Sequence, residues 1–223
     1  MPCRYNYASQ ALELFKDWEL LASTANVALD DRTVSNTLVG KARWPGNGSH
    51  LNGSIAGLYV IDRHLSLDAM QSAASTLGYP VAFLAANNLG ARAGGTALAS
   101  WGGFTQGNAT RQPVYASSRG YANGSYVTFT RTNSQHLNGG ARRLNIASNG
   151  GFTAFALVLF SGTSAANERI FDFGNGDGND TIALFRSSNT TGIAALVSTG
   201  PAQSSPVYSG AIVQSQWAVF GLR

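Results

Sequence analysis

The residues FDFGNGDGND (171–180) place three acids and two amides within ten positions, spaced by glycines. Such a run of hard oxygens is what a calcium ion takes as ligands. An EF-hand loop does not fit. Counted from Asn175, the sixth position should be Gly and is Asp180, and the twelfth should be Glu and is Arg186. A looser site remains, in which Asp177, Asn179 and Asp180 bind Ca2+ from one flexible loop. Turn chemistry accounts for the same residues, because Asn, Asp and Gly are also what a hairpin connection needs.

A second stretch, WPGNGSHLNGS (44–54), sets Trp44 among polar turn residues. A sugar offers apolar C–H faces and a rim of hydroxyls. Trp44 could stack on the face, while Asn47, His50 and Asn52 hydrogen-bond the rim. The competing reading has Trp44 covering the edge of the core, since large aromatics usually bury. Trp101 and Trp217 lie within strand-like runs and read as core.

Acid–base chemistry finds little support. The glutamates are Glu13, Glu19 and Glu168, and none belongs to an alternating Glu-x-Asp-x-Glu run. Glu168 stands four residues before Asp172, a spacing that shares one face of a regular strand. A retaining glycosidase pair needs such closeness, but the segment reads as a scaffold strand. No Gly-x-Ser-x-Gly nucleophile elbow occurs. The chain is therefore read as non-catalytic.

The elements that would carry these loops are mostly strands. Of 223 residues, 44% are hydrophobic and only 12% charged, with 26 glycines. Gly, Ser, Thr and Asn replace the Lys and Glu that support exposed helices, which favours an all-β chain. Strands fit 54–62, 81–88, 97–103, 125–131, 152–162, 168–174, 180–187, 193–199 and 216–222. FTAFALVLF (152–160) is apolar on both faces and belongs in the middle of a sheet. Two helices are expected. One is 10–17, where Leu12, Phe15 and Trp18 form a helical stripe behind Ser9. The other is 66–77, capped by Ser66 and ended by Gly78.

The net charge of +4 is carried by scattered arginines, of which only Arg142 and Arg143 are adjacent. A nucleic-acid binder gathers its basic residues on one face, so none is expected as a partner. One cysteine, Cys3, permits no internal disulfide, and three distant histidines argue against zinc. No apolar run approaches the ~20 residues of a membrane span. The opening MPCRYNYASQALELFKDWELL lacks the unbroken apolar core of a signal peptide.

The segment 47–77 resembles the closing part of a laminin-G-like, concanavalin A-like lectin domain. The similarity rests on Leu51-Asn52-Gly53-Ser54-Ile55, then on Asp62-Arg63-His64-Leu65-Ser66, then on the short helix. It departs where an acid often follows that serine by four positions, which here is Met70. Residues from about Val81 to Arg223 resemble the opening part of a second such domain, through the Trp101-Gly102 step, SYVTFTR, FTAFALVLFSG, ERIFDFGNG with DTIALFRS, and QWAVFGL. The expected organisation is thus 1–78, the C-terminal part of one repeat, and 79–223, the N-terminal part of the next. Either the chain is a piece of a tandem array, or the two parts close on each other as one permuted sandwich. The resemblance implies an antiparallel jelly-roll β-sandwich with one or two short helices. It also implies a non-catalytic module that binds carbohydrate or an extracellular protein at a cell surface or outside the cell. A self-assembling structural module is the alternative, and a polysaccharide-active enzyme a distant third.

Overall fold

The computed structural model describes residues 3–6, 11–17, 19–25, 27, 31–41, 50–61, 69, 82–89, 92–117, 124–148, 151–162, 167–175, 180–187, 192–199, 202–204, 212 and 214–222. Among them run nineteen strands, β1 to β19 in chain order, and every pairing is antiparallel. The chain is an all-β sandwich of two large sheets.

The nine-stranded sheet holds β1 (Cys3–Asn6), β2 (Ala11–Lys16), β3 (Glu19–Thr24), β6 (Gly53–Ile61), β7 (Ala82–Ala85), β10 (Val114–Ala116), β11 (Tyr126–Phe129), β14 (Gly151–Phe160) and β19 (Trp217–Leu222). The eight-stranded sheet holds β5 (Asn36–Val39), β8 (Ser100–Trp101), β9 (Phe104–Thr105), β12 (Leu137–Asn138), β15 (Glu168–Gly174), β16 (Ile182–Arg186), β17 (Ile193–Thr199) and β18 (Ala202–Ser204). A small ribbon joins β4 (Arg32–Val34) to β13 (Arg142–Leu144).

Alternation explains the layers. On β11, Val127 and Phe129 are buried while Tyr126 and Thr128 are half-buried, so every second residue faces the opposite sheet. Phe129, Val158 and Phe160 from one sheet join Val39, Phe171, Phe173 and Leu184 from the other in one core cluster. β14 is central, as its two apolar faces require. β6 pairs along one edge, and β1 and then β19 share the other. Strands from either side of residue 78 alternate in both sheets. β6 lies between β14 and β11, and β5 lies between β15 and β12. The sheets come close at Gly40, whose φ of +79° carries the chain out of β5. A Cβ there would run into the Phe129 ring.

The helix expected over 10–17 is instead the strand β2. Leu12 and Leu14 are both fully buried and Phe15 nearly so, and the extra residue at the register shift lies on β3, at Leu21. Pairing with β3 and β19 prevails over a weak helical stripe. The helix expected over 66–77 lies outside the described residues except for Ala69, which is helical. Among the described residues, no helix is long and apolar enough to cross a membrane.

Candidate functional site

Of the four expected sugar contacts, Trp44 and Asn47 lie outside the described residues. His50 and Asn52 are placed at the start of β6. Asn52 is structural: its Nδ2 donates to the Ser161 carbonyl (2.8 Å), and its own carbonyl accepts from the Ser161 amide (2.8 Å). His50 is 4% exposed and bridges to Lys41 across an isolated antiparallel pair. Its ring lies 5.9 Å from that of His136, tilted by 54°.

His136 follows a tight turn in which Ser134 takes φ +52° and Gln135 accepts from the Thr130 amide (2.7 Å). Its Nδ1 lies 2.9 Å from the Ser134 carbonyl, so Nδ1 carries the proton and donates. Nε2 then accepts from the Gln106 amide nitrogen at 3.1 Å. The backbone ties the ring to one more cation, because the His136 amide donates to the Arg111 carbonyl (3.3 Å). This network suits a neutral imidazole. Burial pushes the His136 pKa down, the Ser134 bond opposes that, and the charges of Lys41 and Arg111 add to the depression. Lys41 is itself lowered, by burial first and by Arg111 second.

Above about 6.5, His136 is neutral in both folded and unfolded chains. Below that value the unfolded chain takes up the proton first, so stability falls as pH drops towards the depressed folded pKa. The urea midpoint of the protein is expected to decline from pH 7 to pH 5. His136→Gln should remove part of that slope, and an unchanged slope in the variant would refute this role.

The loop candidates divide in the same way. Asp177 and Asn179 lie outside the described residues, whereas Asp180 is described. Its Oδ1 faces the buried Arg32 guanidinium at 3.7 Å, and its Oδ2 accepts from the Asn175 amide at 3.2 Å. Asn175 also donates to the Thr33 carbonyl and accepts from the Ser35 amide. Asp180 thus helps pin the turn after β15 to β4, and a cation placed on it would meet the Arg32 charge.

Glu168 and Asp172 do not share a face. A bulge between Arg169 and Phe171 sends both Ile170 and Phe171 into the core. Glu168 therefore points inward to Arg186 and Arg131, while Asp172 points outward to Arg169, 3.3 Å away. Arg169 lies over Phe185, 3.9 Å from the ring centroid, within a small buried cluster on the outer face of that sheet. Each carboxylate is neutralised in place.

A feature missed by the sequence reading lies on the outer face of the nine-stranded sheet. Trp101 is buried as expected, but Trp217 is half-exposed. Its neighbours Ala218 and Phe220 fill the core, so alternation turns Trp217 outward. It meets Tyr126, also half-exposed, edge to face at 5.6 Å. Tyr59 stacks on Phe155 at 4.5 Å on the same face, and burial raises the Tyr59 pKa. A notch of about 40 Å³ at the start of β19 is lined by Lys16, Asp17, Gln216 and Trp217 together with the core residues Ile212, Ala218 and Phe220. Lys16 lies opposite Phe220, so the notch belongs to the core side of the sheet and not to the aromatic face. The signal was present in QWAVFGL, which is apolar on both faces at a place where a half-solvated strand would alternate.

Comparison of the chain with protein-family models, with curated proteins and with solved structures finds no match.

Proposed function

We propose that the chain is a non-catalytic carbohydrate-binding module with a concanavalin A-like jelly-roll topology, its two parts closing as one sandwich, and that it acts at a cell surface or outside the cell. The observation that carries the reading is the half-exposed Trp217–Tyr126 pair on the outer face of the large sheet. An edge-to-face pair fixes the indole orientation, and an indole held rigid stacks on sugar C–H bonds at low entropic cost. The exposed Gln216 next to it in the chain supplies a donor and an acceptor for hydroxyls. The neutralisation of Glu168 and Asp172 by arginines supports binding without turnover.

A glycan-array screen with and without EDTA tests the reading. A defined set of bound glycans is expected. Loss of that binding in EDTA would support a calcium site in the 174–180 loop, whereas retention would make the aromatic face sufficient. Release of reducing ends from a polysaccharide would overturn the non-catalytic assignment.

One observation favours the self-assembling alternative. β3 pairs only with β2 among the described strands, and Leu20 on it is 53% exposed. Strands of this kind invite edge-to-edge association. Silence on the array together with concentration-dependent assembly in sedimentation would select that alternative.

A further inference from the structure

Lys41, Arg111 and His136 are held together by backbone contacts. Lys41 bridges to His50, whose ring stands against His136, and the His136 amide bonds to the Arg111 carbonyl. Gln106, 9% exposed, holds the imidazole through its side-chain amide. Among the described residues, neither Lys41 nor Arg111 takes part in an ion pair, whereas Arg32, Arg131, Arg169 and Arg186 each do. Lys41 is half-buried and Arg111 exposed. Holding these two like charges near each other costs free energy, and an anion placed between them would offset that cost.

We infer that Lys41 and Arg111, beside the neutral His136, form a subsite for the carboxylate or sulfate of an acidic sugar. The anion subsite stands on this geometry alone, and the sugar as carrier of the charge rests on the proposed function. The two features lie at the same end of β6: His50 is three residues before Gly53, Gly53 pairs with Phe160, and the adjoining Leu159 pairs with Trp217. A charged guanidinium and ammonium bind such groups through short charge-assisted hydrogen bonds. The interaction weakens with salt, because exposed charges are screened over about 10 Å at 0.1 M.

The test is calorimetric titration of the whole chain with a hexuronate oligomer, a sulfated oligosaccharide, a neutral oligosaccharide of equal length, sodium sulfate, and a short DNA duplex. The parent is compared with Lys41→Gln/Arg111→Gln, and thermal melting checks that the double variant is folded. At least one acidic oligomer is expected to bind about tenfold more tightly than the neutral one, with the double variant erasing that difference. Equal binding of acidic and neutral sugars overturns the inference and leaves the carbohydrate reading intact. Undiminished acidic binding by the double variant, or DNA binding as tight as the acidic sugar, overturns it too. Should sulfate alone bind in a Lys41- and Arg111-dependent way while no sugar does, the anion subsite holds and the carbohydrate reading falls.

Discussion

Glu168→Gln is expected to lower stability by about 3–5 kcal/mol, the usual cost of removing one partner from a buried ion pair. Glu168 is fully buried and Arg186 is 1% exposed. The Arg186 Nε donates to Glu168 Oε2 at 2.8 Å and its Nη2 closes on the same oxygen, while Arg131 Nη1 donates to Oε1. Arg186 also donates to the Gly162 carbonyl (3.0 Å) and lies over Phe160, 4.8 Å from the ring centroid. The triad therefore fastens the eight-stranded sheet to the end of β14. Glutamine keeps the shape and removes the charge, so two guanidinium groups face each other with one of them sealed in the core. Urea unfolding would read the loss as a lower midpoint. Glu168→Gln combined with Arg186→Met should recover part of it, because an apolar replacement of both partners leaves no buried charge behind. A loss below about 1 kcal/mol, the range of exposed pairs, would contradict this account.

The same segment shows how far a sequence carries the argument. Period-two spacing puts positions 168 and 172 on one face, and the bulge at Ile170 separates them. Nothing local in ERIFDFG announces the bulge. It arises because Ile170 and Phe171 both find room in the core. The central place of β14 was legible, since ten residues without a polar face fit only between neighbours. β2 was not, because Leu12 and Phe15 also suit a helical stripe with Trp18, and only the pairing with β3 and β19, which buries Leu14 as well, decides. His50 was legible as a polar group in a turn. Its companions Gln106 and His136 are far away in sequence, and only the fold brings them together. Trp217 reads as core in the sequence because its neighbours are apolar, although the alternation that buries Ala218 and Phe220 turns it outward.

The second large effect concerns that tryptophan. Trp217→Ala is expected to weaken sugar binding by about 2 kcal/mol or more, roughly thirtyfold in Kd, as for an aromatic hot spot. The alanine loses the stacking surface that the Tyr126 ring holds in place. Trp217→Phe should restore part of the affinity, since a ring remains to stack. Tyr126→Phe should change little, because the edge-to-face contact needs the ring and not the hydroxyl. Binding unchanged in Trp217→Ala would remove the aromatic face from the mechanism.

The most direct measurement is a ¹H–¹⁵N correlation titration of the labelled protein with a glycan selected on the array. The account predicts saturable shifts centred on the Trp217 indole N–H, the Gln216 side-chain amide and the backbone of Tyr126, with all three following one binding curve. Saturable shifts confined to other surfaces, with these three signals unmoved, would contradict it.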